Sequence, residues 1–261
     1  MSFSADWLDL REPADLSARD EGLLAAARGY AGRGLVLDLG CGTGATRRAF
    51  GESDAKWRML DLDPALLAVA AERAGAGVTV VAGDLRDVDR LPLEGVRLVT
   101  ASALLDLVST AWVGALAGRL GAAGVGFYAA LSYDGTMGWE PALDGDAAAR
   151  AAFNRHQRRD KGFGPALGPG AAAVTGDAFG QRGYRVQTAA SSWRLGPGRL
   201  QAALIAGVAA AAREAGMAGA SRWGQARRAA SGSGCTVGHI DLLALPAGAS
   251  AQSKTTSESR P

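Results

Sequence analysis

Apolar positions along the chain gather into short continuous runs, each followed by a stretch with helical spacing, which predicts strands joined by helices. In the run 35–39, Leu-Val-Leu-Asp-Leu, four of five residues are apolar, as in a strand buried on both faces of a parallel sheet. Comparable runs at 56–61, 78–85, 96–101 and 125–131 extend the series, the fourth strand from the start leading into a helix that passes Trp112 and reaches Leu120. Asp63 before Pro64 marks a helix start, because a residue before proline is pushed out of the helical region while proline suits the first helical position. Trp7, Leu8, Leu10, Leu16, Leu23, Leu24 and Tyr30 recur with helical spacing interrupted at Pro13, predicting two short N-terminal helices that part there. Ser132-Tyr133-Asp134-Gly135 reads as a turn closing the fifth strand. Residues 183–189 and 236–245 predict two late strands. Before them Gly183 takes the position just past a helix; between them lie an alanine-rich helix starting at Pro197 and ending before Gly216, and a further helix carrying Trp223, Arg227 and Arg228.

Composition narrows the possibilities. A chain of 261 residues can bury one good-sized core. With 28 basic and 26 acidic residues the net charge is +2, and no block of like charge suggests attraction to nucleic acid or to a membrane surface. Two cysteines, Cys41 and Cys235, exclude a disulfide framework and fit a reducing compartment. Cysteines and histidines are too few and scattered for a metal centre, so none is expected. The first twenty residues hold seven charged side chains where a secretion signal would be apolar, and the alanine run 202–212 is too short to span a bilayer. The expectation is a soluble cytoplasmic protein, monomeric or homodimeric.

Candidate chemistry starts at Gly40-Cys41-Gly42-Thr43-Gly44, where the first strand ends in alternate glycines and runs into a helix. Such a turn presents bare backbone N–H groups with no Cβ to hold a ligand off. Gly40-x-Gly42-x-x-Ala45 satisfies the dinucleotide fingerprint, while Asp38-x-Gly40-x-Gly42-x-Gly44 resembles the first motif of class I S-adenosylmethionine-dependent methyltransferases. Asp61 at the end of the second strand and Asp84 at the end of the third favour the methyltransferase resemblance, since a nicotinamide dinucleotide has no general need for a carboxylate at the third strand.

The resemblance is specific over residues 35–135 and implies a Rossmann-like α/β fold: a mostly parallel sheet of about seven strands with an antiparallel last strand, helices on both faces and a helical lid or insertion. It implies S-adenosyl-L-methionine as cofactor, leaving as S-adenosyl-L-homocysteine, bound by Asp38, Gly40, Cys41, Gly42, Gly44, Asp61, Leu62, Asp84, Leu85, Ser102 and Arg19. Asp61 would take the ribose hydroxyls, with Asp63 as helix cap; Asp84 the adenine amino group; Arg19 the methionine carboxylate. Read from the residues alone, Arg19 equally suits a solvated helix face, Asp61 a cap, and Cys41 simply a small residue that fits the turn. The implied arrangement is 1–34 as helices capping the cofactor, 35–135 as the cofactor-binding core, 136–182 as a substrate lid and helix, 183–246 as the final strands with a helical insertion at 197–231, and 247–261 as a disordered tail.

On the substrate side, Ser102-Ala103-Leu104-Leu105-Asp106 departs from the Asn/Asp-Pro-Pro-aromatic pattern of enzymes that methylate exocyclic amines, which points to a small-molecule acceptor. Residues 153–165, polar groups between two aromatics and glycine hinges, read as a lid. Candidate substrate contacts are Asp106, Tyr133, Asn154, His156, Arg159, Lys161, Trp223 and Arg227. His156 is the candidate general base, or else a hydrogen-bonding residue that orders the lid, and the basic residues suit either an anionic substrate or a solvated face. His239, on the last strand, reads as structural. The activity expected is methyl transfer to a small, hydroxylated or anionic metabolite. An RNA methyltransferase, or a protein that binds the cofactor without turnover, are the alternatives.

Overall fold

The computed structural model describes residues 4–75, 77–230 and 232–248. Strands β1 (Leu35–Leu39), β2 (Lys56–Asp61), β3 (Val78–Ala82), β4 (Val96–Ser102) and the first part of β5 (Gly126–Glu140) pair in parallel. The antiparallel β8 (Gly234–Pro246) lies between β5 and β6 (Tyr184–Ala190), giving the order β3-β2-β1-β4-β5-β8-β6. An eighth strand, β7 (Trp193–Leu195), continues β6 along β8. Ser191, at the break between them, still donates its N–H to the His239 carbonyl at 2.8 Å. The edge therefore reads as one interrupted strand, which is why the sheet has eight strands rather than about seven. It is the Rossmann-like α/β arrangement expected.

Alternation along the strands sends side chains to two covered faces. Leu37, Val99, Phe127 and Leu242 face α5 (Thr110–Ala123) and α7 (Ala171–Gly180), meeting Trp112, Leu116 and Phe179. Val36, Leu98, Tyr128 and Leu243 face α2 (Glu21–Ala31), through Leu24, Ala27 and Tyr30. Helix α4 (Pro64–Ala74) is capped by Asp63, which accepts from the Ala65 N–H at 2.9 Å.

Four local expectations are corrected. The N-terminal helices do not part at Pro13: α1 (Ala5–Ala18) runs through it, and the break falls at Arg19 and Asp20. Proline removes a donor to the Asp9 carbonyl, but Pro13 and Asp9 are both exposed, so water can take the freed acceptor. Residues 132–135 are not a turn. Strand β5 passes through them to Glu140, with register shifts against β8 between Ala129 and Ser132 and between Tyr133 and Met137. Leu131 at φ +58° and Gly135 at φ +90° absorb the extra residues, and Asp134 Oδ1 accepts from the Thr136 N–H at 2.7 Å. Turn chemistry here builds bulges. Helix α7 ends at Gly180, so Gly183 lies in the following turn, and the alanine-rich helix α8 (Arg199–Glu214) begins two residues after Pro197. From residue 249 onward the expected tail lies outside the described residues.

Beyond the bulges, β5 and β8 outgrow the parallel sheet and carry a second core. Tyr133, Met137, Trp139, Trp193 and Val237 pack there with α6 (Asp146–Gln157), α8 and α9 (Ala220–Ala229), through Ala149, Ile205, Val208 and Trp223. Arg227 is wholly buried in this core. Its Nε donates to Asp146 Oδ1 at 2.8 Å, Nη2 to Asp146 Oδ2 and Nη1 to the Pro141 carbonyl at 2.8 Å, while its guanidinium lies over Trp139. Trp223 Nε1 donates to the same Asp146 carboxylate at 2.8 Å. No described helix is long and apolar enough to cross a membrane. Asp146→Ala leaves a buried cation unpaired and lowers the stability of the chain by roughly 3 kcal/mol, while Asp146→Asn, which keeps an acceptor, costs less; urea unfolding of the two variants measures the difference.

Candidate functional site

The carboxyl ends of β1 to β4 come together under α1. Gly40, Gly42 and Gly44 follow β1 with φ of +63°, +53° and +87°, and a Cβ on Gly42 would stand 2.8 Å from Leu8 Cδ1 of α1. The loop is stitched to β2: the Cys41 N–H donates to the Leu60 carbonyl at 3.0 Å and the Gly42 N–H to Asp61 Oδ2 at 2.8 Å. Asp61 Oδ1 accepts from the Asp63 N–H at 3.0 Å, so this carboxylate is anchored on both oxygens. Above the loop, Glu12 of α1 accepts from Arg48 Nε and Nη2 at 2.6 Å each, and Arg48 Nη1 donates to the Thr43 carbonyl at 2.6 Å. Asp9 is paired with Arg73 of α4 at 2.6 and 2.9 Å.

The cleft so formed is a cavity of about 640 Å³, within the range of small-molecule sites. Its wall carries Asp61, Leu62, Asp84 and Leu85 after β2 and β3, Gly40, Cys41 and Gly42 after β1, Ser102, Leu104 and Leu107 at and after β4, Arg11 and Asp15 of α1, and Lys161 and Phe163. Leu62 is 64% exposed at the mouth, an apolar side chain with nothing over it. Asp84 accepts from the Arg86 N–H at 2.9 Å and from Arg86 Nε at 2.8 Å, and this guanidinium holds its carboxyl below the usual carboxylate range.

Two predicted residues lie behind the wall. Arg19 is no solvated helix residue: it is 5% exposed, donates Nη2 to Ser102 Oγ at 2.9 Å, and leaves Nε and Nη1 without a partner. Two idle donors on a buried guanidinium behind a cavity wall suit an anionic group in the cavity. Asp38 is buried beneath the glycine loop, accepting from Thr100 Oγ1 at 2.7 Å. Burial pushes its carboxyl up to about 7, against the opposing pull of Thr100 and Arg19. Burial, with Asp38 and Asp61 nearby, also raises the Cys41 thiol, so it stays protonated and is no nucleophile. Gly44 is not on the wall; it caps the short α3 (Ala45–Ala49) in the left-handed region.

The predicted substrate residues separate. Lys161 is on the wall. Asp106 is buried, with Oδ1 unpartnered, and burial pushes it up to about 6 while Arg11 and Lys161 draw it back. His156 is not on the cavity: its Nε2 is 3.0 Å from Glu214 Oε2 and its Nδ1 3.4 Å from Lys161 Nζ. Tyr133 donates its hydroxyl to Asn154 Oδ1 at 2.8 Å and Asn154 donates to the Gly135 carbonyl at 2.9 Å, a prop for the β5 bulge. Arg159 donates to the Glu214 carbonyl at 2.7 Å on the surface. Trp223 and Arg227 belong to the Asp146 cluster of the second core, where that carboxylate already satisfies the guanidinium. His239, packed by Trp193 and Tyr133, is pushed by burial down to about 4 and stays neutral, as a structural residue would.

Sequence reasoning missed Leu8, Arg11 and Asp15 of α1 and Phe163 of the lid. Arg11 donates to Asp15 at 2.9 and 3.1 Å, and Trp193 Nε1 donates to Asp15 at 2.9 Å. The i,i+4 spacing of Arg11 and Asp15 was the available signal, but nothing local says that Trp193 closes the pair from far along the chain. Among the described residues no cluster could hold a metal ion.

Residues 36–120 match the family model of the methyltransferase domain. No curated protein matches the chain. Among solved structures, a putative methyltransferase from Bacillus halodurans aligns over 85% of this chain and 98% of its own at 13% identity with a TM-score of 0.51, which shows a shared fold. YcgJ from Bacillus subtilis aligns over 85% and 96% at 15% identity and 0.49. A geranyl diphosphate C-methyltransferase from Streptomyces coelicolor aligns over 86% and 78% at 12% identity and 0.47.

The Asp38 carboxyl gives this site a pH signature. It is neutral in both states at low pH, then ionises in the unfolded chain from about 3.8 while the folded chain keeps the proton to about 7, so its contribution to stability is lost as pH rises through that window. Asp38→Asn makes the decline shallower, by at most roughly 3 kcal/mol, in urea unfolding compared at about pH 5 and about pH 8.

Proposed function

We propose that this chain, whose residues 36–120 form a methyltransferase domain, transfers a methyl group from S-adenosyl-L-methionine to a small hydroxylated or anionic metabolite, with the cofactor in the cavity under α1. The observation that carries this reading is the pairing of a bare glycine loop with two carboxylates, Asp61 and Asp84, at successive strand ends lining a single cavity. In that reading Asp61, fixed by two backbone N–H groups, offers its remaining lone pairs to ribose hydroxyls. Asp84 takes the adenine amino group in competition with Arg86, and Leu62 and Leu85 supply apolar cover for the ring. The idle donors of Arg19 match the methionine carboxylate. The residues present therefore fit the cofactor. When bound, it supplies a methyl group already activated on a sulfonium, so the chain's task is to orient the acceptor and exclude water. Leu104, Leu107 and Phe163 add apolar lining suited to that.

Titration calorimetry with S-adenosyl-L-homocysteine tests the assignment. Asp61→Ala weakens binding by roughly 1 to 3 kcal/mol, through donors of the ligand and of Gly42 left unpaired. Asp84→Ala costs less, because the carboxylate is shared with Arg86. Unchanged affinity in both variants, or tighter binding of a pyridine dinucleotide, rejects the reading. Incubating the protein with methyl-labelled cofactor and a cell extract then distinguishes label entering small molecules, the expected result, from label in RNA or in nothing.

A further inference from the structure

The lid loop places one amine on the cavity wall and connects it to solvent. Lys161 Nζ lies 3.4 Å from His156 Nδ1, and His156 Nε2 lies 3.0 Å from Glu214 Oε2. The imidazole is 15% exposed and the carboxylate 57%, so the three groups lead from the cavity outward. With Lys161 donating to Nδ1, the ring proton sits on Nε2 and points to Glu214. The loop holds this geometry through its own chemistry. Asp160 Oδ1 accepts from the Gly162 and Gly164 N–H groups at 2.6 and 3.1 Å, Phe163 packs edge-on to Trp112, and the Gly168 N–H donates to the Asp106 carbonyl at 3.0 Å.

We propose that Lys161 takes the proton from the methyl acceptor and that His156 and Glu214 pass it to water, which makes the acceptor a hydroxyl acidic enough to yield its proton to an amine, a phenol or an enol. This rests on the methyltransferase reading and names the acceptor class. As the acceptor oxygen's lone pair bonds the methyl carbon, the O–H bond breaks and its proton goes to the neutral Lys161 amine, while the carbon–sulfur bonding pair stays on sulfur as the thioether leaves. The ammonium then gives a proton to His156 Nδ1 as Nε2–H passes its own to Glu214. Residue choice supports the role: the chain has three lysines, Lys56, Lys161 and Lys254, against 25 arginines, and a guanidinium here could not release a proton. The charged groups facing the amine are His156 and Arg159 from α6 and its end, Glu214 from α8, and Asp106 after β4, itself faced by Arg11. Burial and Arg159 push Lys161 below the ordinary lysine range, against Glu214 and Asp106.

Two readouts test this on the full chain. The first needs no cofactor: the chain has two histidines, so His239→Gln identifies the His156 ring signal in an NMR pH titration. Lys161→Met raises the His156 midpoint and Glu214→Gln lowers it; a midpoint unmoved by both overturns the relay. The second follows label from methyl-labelled S-adenosyl-L-methionine into a panel of phenols, enols, amines and carboxylates. Lys161→Met and Lys161→Arg lower transfer to hydroxyl acceptors about 100-fold or more, added ethylamine restores part of the rate in Lys161→Ala, and cofactor affinity stays within about twofold. Transfer within threefold of wild type with an unchanged pH profile, or a panel in which no hydroxyl gains label, overturns the proposal. Failure of the wild-type chain to bind the cofactor would instead sink the methyltransferase reading, with the imidazole titration unaffected.

Discussion

Carboxylate–arginine pairs bridge α1 to α3, just past the glycine loop, and to the last turn of α4, and the cavity lies beside that bridge. Asp15, the buried residue of α1, accepts from Trp193 Nε1, and the partly buried Ala14 and Ala18 pack on the second core. On the side of the glycine loop the helix is held by Glu12 on Arg48, whose guanidinium also takes the Thr43 carbonyl, and by Asp9 on Arg73. The exposed Asp9–Arg73 pair is worth roughly 0.2 to 1 kcal/mol, and the partly buried, two-pronged Glu12–Arg48 pair somewhat more. These are small energies beside the core beneath, and salt screens the outer pair. The roof is thus held by weak, directional forces over a floor held by strong, undirected ones, which suits a site that must admit and release ligands.

The floor owes its shape to buried carboxylates. Asp241 on β8 accepts from the Leu131 N–H at 2.8 Å, fixing the first bulge of β5, and from the Asp20 N–H at 3.1 Å and the Tyr128 hydroxyl at 3.2 Å. Asp20 in turn caps α2 through the Leu23 N–H at 2.7 Å. The break between α1 and α2 is therefore pinned to the sheet at one residue, and the residue before it, Arg19, is carried inward to Ser102 and the neighbourhood of Asp38. A guanidinium on a continuous surface helix would have stayed in water; here the helix break buries it, and the buried Asp241 that holds the break is hydrogen-bonded on both oxygens, as burial requires.

The parallel half of the sheet was legible because its signals are local. Apolar runs, a glycine turn, and Asp63 before Pro64 each act within a few residues, and the structure places β1 to β4 and α4 where those signals fall. Legibility failed where a local signal had two physical outcomes. Asp134-Gly135 makes a turn in an isolated strand but a bulge when β8 supplies a partner on the far side. Pro13 ends a buried helix but not one whose freed carbonyl faces water. On the cavity wall, Gly40, Gly42, Asp61, Leu62, Asp84, Leu85 and Ser102 came from one continuous pattern. Arg11, Asp15 and Phe163 come from segments that carry no motif and meet only after folding. Trp223 and Arg227 looked available for a ligand because the sequence does not show that Asp146 reaches them.

That division has a chemical consequence. The part of the wall with Asp61 and Asp84 is made by strand ends whose positions the sheet dictates. Lys161 reaches the wall on a loop tied at the Asp106 and Val108 carbonyls. A substitution in α6, α8 or residues 158–168 can therefore alter that part of the wall while the glycine loop keeps its hydrogen bonds to β2. By the same reasoning this part of the cavity is shaped by contacts between distant segments, such as Lys161 with His156 or Asp15 with Trp193, rather than by any single stretch of the chain.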